Sequence, residues 1–376
     1  MGIFVDAGYR TRLGTSFYDR RRELDTLDSA VHDYRLVIVY GPRNVGKSEL
    51  VYYWSRRRAK QRVIVFQIDA MRARSVIEDL DKYLSAPEER VKKIILSRLR
   101  EELKETTTSY LRLLDLVYTV YEVVQTVKEK VVLFLDEFHM LPGYRASMYR
   151  SRYEEALTDL EALAHRLAKY EKDYLRIVLT VSEGFVATGE ALSRLHGYNA
   201  EFMLVEHMDG EHFSALYNEY KQVNECSTDY YLIHGIVGGA PGYLAELCRG
   251  EHAVKRFVER SKTVLENSLS AVRNILAAEP MRSIAGEYQD PRQLIRLAHE
   301  VMIEDAIKPM EQPFLYTIGQ LLTTHNIVYP FLGKGYVRFK PQIPLYRVLL
   351  EIAVERNAPS ILDVETNEVI RRTRRQ

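Results

Sequence analysis

Residues Leu36 to Tyr40 (LVIVY) form a short apolar, β-branched run that passes directly into Gly41-Pro42-Arg43-Asn44-Val45-Gly46-Lys47-Ser48 and then into an amphipathic stretch from about Leu50 to Lys60. A buried strand, a glycine-bounded loop ending in Lys-Ser and a helix together restrict the chain to a parallel-sheet α/β core. The chemistry explains the residue types. Gly41 and Gly46 let the backbone curl so that successive N–H groups face one anion, and the helix start adds its partial positive charge. Lys47 would neutralise β- and γ-phosphate oxygens, the Ser48 hydroxyl would ligate magnesium, and Glu49 opens the helix beside them. ATP with Mg2+ is the ligand this loop is expected to take.

Further runs of the same kind occur at Val63 to Phe66, Val131 to Leu135 and Ile177 to Val181, with a fifth at Glu201 to Val205. Helical patterns at Val91 to Glu105, Tyr110 to Val127 and Glu154 to Tyr170 separate them, so a sheet covered by helices on both sides is predicted. Strand C-termini face the ligand crevice in such a sheet, which puts Asp136 and Glu137, at the end of VVLFL, by the phosphates. Asp136 is expected to hold the magnesium shell and Glu137 to take the proton of an attacking water. Ser182, after IVLTV, is either a polar sensor of the γ-phosphate or a strand-end serine bonded to backbone. Arg194 is either an arginine finger or a plain surface arginine.

After Met208 the β-rich runs stop. The sequence divides into a P-loop domain over 1–208, a second, helical unit over 209–279 broken at Gly235, Gly238, Gly239, Pro241 and Gly250, and a winged-helix-like domain over 280–376. In the last, helical stretches at Pro291 to Ile307 and Phe314 to His325 lead into a β-hairpin predicted over Ile327 to Phe339, turning at Gly333 and Gly335.

The segment Phe17-Tyr18-Asp19-Arg20-Arg21-Arg22-Glu23-Leu24 with Leu27, then YGPRNVGKSEL, VVLFLDEFHML, TVSEG and Gly238-Gly239-Ala240-Pro241, resembles in its order the archaeal ATPase family of the STAND branch of AAA+ proteins. The resemblance implies a P-loop ATPase core with a helical lid and a C-terminal winged helix. It also implies that the segment carrying Arg20 packs beside the adenine and that Pro241 contacts the base.

Composition narrows the rest. With 53 Lys and Arg against 52 Asp and Glu, the net charge of +1 supplies no chain-wide field for nucleic acid or membrane. The opening MGIFVDAGYRTRLG has no long apolar core, and no later run is long enough to span a bilayer, so a soluble cytoplasmic protein is expected. The two cysteines, Cys226 and Cys248, have no metal-ligand spacing and are expected as buried thiols, not as a disulfide. His139, His165 and His207 are scattered without ligand spacing, and no nucleophile elbow or dinucleotide fingerprint occurs. Two classes of output remain open for an ATP-driven switch. One is double-stranded DNA, met by Lys334, Arg338, Lys340 and the tail Arg371, Arg372, Arg374 and Arg375. The other is a protein partner or self-association, and a replication initiator of the Orc/Cdc6 type shares the overall plan.

Overall fold

The computed structural model describes residues 4–60, 63–70, 84–85, 92–94, 96–97, 101, 113–127, 130–141, 144, 149–169, 174–181, 195, 198–278, 290–333 and 335–375. They form two compact units, one of Arg20–Tyr40 and Lys47–Val205, the other of Met1–Asp19, Gly41–Gly46 and Glu206–Gln376.

Strands are numbered along the chain, and the first two, β1 (Val5–Asp6) and β2 (Phe17–Tyr18), pair antiparallel in the second unit. The first unit is built on one six-stranded sheet of β3 (Leu36–Tyr40), β4 (Ile64–Asp69), β5 (Leu84–Ser85), β6 (Val131–Asp136), β7 (Leu175–Thr180) and β8 (Ala200–Leu204), in the spatial order β5-β4-β6-β7-β3-β8. All neighbours are parallel except β5, which runs antiparallel on the edge. Every residue of β3 and β6 is buried, as strands covered on both faces require. Because side chains alternate, Leu36, Ile38, Phe66, Leu133, Leu135, Ile177 and Leu179 share one face, packed with Leu116, Val120, Leu160 and Leu163 from helices Leu113–Val127 and Tyr149–Lys169. On the other face the Phe134 ring meets Tyr52 of helix Lys47–Lys60 edge-on at 5.2 Å. Helix Arg21–Asp33 lies there too, where the Arg176 guanidinium donates to the Val31 carbonyl. The five strands and three of the helices expected from the sequence are therefore present. The fourth helix, expected over Val91 to Glu105, lies largely outside the described residues.

The register decides what meets at the top of the sheet. Leu135 of β6 stands opposite Leu179 of β7, so Asp136 and Thr180 end their strands side by side, and β3 ends next to β7.

The second unit is mostly helical, and side-chain caps mark its helix starts. Asp209, Asp229 and Asp290 each accept a backbone N–H from the first turn of the helices Gly210–Val223, Tyr230–Val237 and Pro291–Ile303. Gly235, expected as a break, lies inside helix Tyr230–Val237. The reason is packing: a Cβ there would strike the backbone carbonyl of Thr373, so the glycine permits a close approach and no turn is involved. The hairpin is present as β9 (Val328–Leu332) and β10 (Val337–Pro341), antiparallel, with Gly335 at φ 80° in its turn. The Phe339 ring fills the space where Gly319 of helix Pro313–Thr324 lacks a side chain, which fastens the hairpin to the helix before it.

The expectation of free thiols is overturned. Cys226 and Cys248 form a disulfide with Cα atoms 4.4 Å apart. Helix Tyr230–Val237 and the turn after it fold back so that Ser227 donates its N–H to the Cys248 carbonyl and Thr228 its hydroxyl to the Leu247 carbonyl. A spacing of 22 residues carries no sign of this, because the two residues meet only through that return of the chain. Among the described residues no helix is long and apolar enough to cross a membrane.

Candidate nucleotide site

The loop after β3 has the backbone its glycines foretell. Gly41 at φ 144° and Gly46 at φ 100° take conformations that a side chain resists, and Asn44 at φ 62° is left-handed between them. Val45 is buried and anchors the curl, and Pro42, the loop's one proline, is buried beside Gly41. The arch Gly41–Gly46 packs within the unit that holds residues 206–376. There the Arg43 N–H donates to Gln342 Oε1 at 2.9 Å and the Asn44 carbonyl accepts the Gly242 N–H at 3.0 Å. Gly242 belongs to the turn Pro241–Tyr243, and a Cβ on it would lie 2.7 Å from the Asn44 Cβ.

Within the sheet unit, Lys47 opens helix Lys47–Lys60 and is buried, with Ser48 and Glu49 in the same first turn. Ser48 donates its hydroxyl to Asp136 Oδ1 at 2.7 Å. The same carboxylate oxygen accepts the hydroxyl of Thr180, and the Thr180 oxygen accepts the Glu137 N–H at 3.0 Å. Glu137 sits at φ 51°, a left-handed conformation costing a non-glycine residue about 1–3 kcal/mol, which the Thr180 bond helps to hold. The turn Phe138–Met140 follows, and His139 Nε2 lies 3.4 Å from Glu137 Oε2.

The donor set suits a hard cation. Neighbouring oxygens in an octahedral magnesium shell lie about 2.9 Å apart, close to the 2.7 Å between Ser48 Oγ and Asp136 Oδ1. Magnesium there would offset phosphate charge and polarise the γ-phosphoryl group.

Of the residues singled out in the sequence, Lys47, Ser48, Asp136 and Glu137 are thus brought to one end of the sheet. Arg20 is buried, at φ 69°, and pairs with Glu23 at 2.6 Å, at the start of helix Arg21–Asp33 whose Leu24 and Leu27 are core. Pro241 opens its turn beside Asn44. Ser182 and Arg194 lie outside the described residues. Three further residues at the site were not singled out as site residues in the sequence, although two of them lie inside the quoted motifs TVSEG and VVLFLDEFHML. Thr180 sits inside the apolar run IVLTV, where its height opposite Asp136 was the available signal. His139 stands two residues beyond Glu137. Gln342 is buried, its side-chain nitrogen donating to the Val328 carbonyl and its own backbone carbonyl meeting His207 Nε2.

The family described as an ATPase domain predominantly from Archaea matches residues 17–247. Among solved structures, the Walker-type ATPase of Pyrococcus abyssi is similar at 19% identity and a TM-score of 0.54, covering 89% of this chain and 96% of that one. The Aeropyrum pernix ORC2 protein, in its ADPNP–ADP complexes, is 12% identical with a TM-score of 0.39, covering 99% of this chain and 98% of that one. Cdc6 from Pyrobaculum aerophilum is 13% identical with a TM-score of 0.40, covering 99% of each. No curated protein matches the sequence.

Proposed function

Since the chain belongs to the ATPase domain family found predominantly in Archaea, we propose that it is a magnesium-dependent, ATP-hydrolysing switch whose nucleotide state is passed to its C-terminal hairpin. The backbone of Gly41 to Ser48 and the Lys47 ammonium hold the phosphates, while Ser48 and Asp136 hold the metal. Glu137 orients a water and accepts its proton as the water oxygen bonds to the γ-phosphorus and the bond to the β-phosphate oxygen breaks, leaving ADP and phosphate. Thr180 keeps Asp136 and the Glu137 backbone in place through both of its hydrogen bonds.

The observation that carries the switch is the bond from the Arg43 N–H to Gln342 Oε1. Gln342 directly follows β10, and its N–H bonds to the Ile327 carbonyl at the foot of β9. A loop that rearranges its amides around phosphate therefore pulls on the base of the hairpin. The test is hydrogen exchange over residues 328–341 with and without ATP and magnesium. The parent should show a nucleotide-dependent change that Gln342→Ala loses while still binding ATP. Identical exchange with and without nucleotide in the parent would reject the switch.

Two readings of the output remain. The hairpin and tail cations suit double-stranded DNA, but Arg338 pairs with Asp305 at 2.8 Å, Lys340 with Glu206 at 2.5 Å and Arg372 with Glu355 at 2.5 Å. DNA phosphates would have to displace these carboxylates, so the pairing favours a protein partner. A salt titration of duplex binding decides between them. Steep weakening with salt, flattened in the triple alanine variant at Lys334, Arg338 and Lys340, would restore the DNA reading, an Orc/Cdc6-like initiator included.

A further inference from the structure

His139 is 3% exposed, deep in the turn that Glu137 opens, and its Nε2 faces the Glu137 carboxylate. Filling space does not require a histidine there. Phe138, Leu141 and Tyr144 are fully buried around the same turn and supply its apolar packing, with the Phe138 ring edge-on to the imidazole at 6.2 Å. A buried imidazole is costly unless it meets polar groups, and its Nε2 lies 3.4 Å from Glu137 Oε2.

The consequence concerns the direction of the carboxylate. Glu137 has three rotatable side-chain bonds, and its side chain is about a quarter exposed, so fixing its carboxylate in one direction costs rotamer freedom. Its main chain is held at φ 51° by the bond to Thr180, and its side chain meets His139, so the residue is fixed at both ends. One carboxylate oxygen faces the imidazole.

We propose that His139 is a positioning residue for the Glu137 carboxylate, holding one oxygen so that the other is presented to the attacking water. This rests on the reading of Glu137 as general base. The role is directional: a misplacement of about 1 Å at a reacting group can cost on the order of a hundredfold in rate, whereas nothing in the contact bears on nucleotide affinity.

The experiment compares His139→Met, similar in volume but lacking the donor, with His139→Gln, whose amide restores one, using steady-state turnover on ATP and calorimetric ATP binding. His139→Met should lower kcat roughly tenfold to a hundredfold with KM and ATP affinity unchanged, and His139→Gln should recover most of the loss. Placed on Glu137→Gln, His139→Met should cost nothing further, since the group it orients is gone. Unchanged turnover in His139→Met, beside an inactive Glu137→Gln, would overturn the positioning role and leave the base standing. Full turnover in Glu137→Gln would remove the base itself. If His139→Met does not fold, His139→Leu replaces it as the variant without a donor: a loss of ATP binding together with kcat would show a structural role, and a loss of kcat alone that His139→Gln reverses the positioning one.

Discussion

Thr180 donates its hydroxyl to the Asp136 carboxylate oxygen that also accepts the Ser48 hydroxyl, so three elements of the sheet unit converge on one atom. β6 supplies the carboxylate, β7 the threonine and the helix after the glycine-bounded loop the serine. Asp136 and Thr180 are both buried, where an unmet donor or acceptor is expensive. The polar end of the sheet is thereby held in one arrangement.

Thr180→Val preserves shape and removes the hydroxyl. It leaves the Glu137 N–H without its acceptor and should destabilise the fold by about 1–3 kcal/mol, read from the denaturant midpoint. Turnover should fall further than ATP affinity, because Glu137, the proposed base, loses its backbone anchor.

Lys47→Ala should abolish ATP binding in calorimetry, since the buried Lys47 is the cation proposed to meet the β- and γ-phosphates. Binding equal to the parent's would remove the loop from the site.

Glu137→Gln should bind ATP as the parent does and fail to turn it over, trapping the nucleotide, because a base acts on water only as the transition state forms. Parent-like turnover would sink the assignment.

A pH dependence follows from Glu219, which accepts the Ser16 N–H and hydroxyl at 3.0 and 2.9 Å and the Arg10 guanidinium at 2.9 Å. Burial works against its ionisation, but hydrogen bonds from Tyr18, Ser16 and Arg10 outweigh that and lower its pKa. Burial and the same bond push the Tyr18 phenol up to about 12. A lowered carboxyl pKa stabilises above the unfolded value and is lost as pH falls through the folded one. A raised phenol pKa stabilises below 10.0 and is lost as pH rises toward about 12. Glu219→Gln should therefore flatten both the acid limb of thermal stability, below about pH 4, and its alkaline limb above about pH 10. Unchanged limbs in that variant would refute the linkage.

Reductant or Cys226→Ser should lower stability by about 3 kcal/mol, the loop-closure value for a ring of this size. Melting with and without dithiothreitol measures it, and an unchanged midpoint would show that the bond contributes nothing.

The sequence alone determined the five parallel strands, though not the antiparallel edge strand β5, together with the loop and the acidic strand end, because each is a local pattern whose physics is complete within a dozen residues. LVIVY cannot be covered on one face only, and GPRNVGKS curls through its own glycines. The hairpin was legible for the same reason, from two β-rich runs around Gly333 and Gly335. What tertiary structure decided was every pairing across long separations. Thr180 acquired its partner from strand register, Gln342 met Arg43 from 299 positions away, and Cys226 found Cys248 through the return of a helix. Gly235 reads locally as a helix breaker, yet it serves a helix that another segment approaches at Thr373. Such partners are chosen by packing, which sums weak contacts over the whole chain and leaves no mark at either residue by itself.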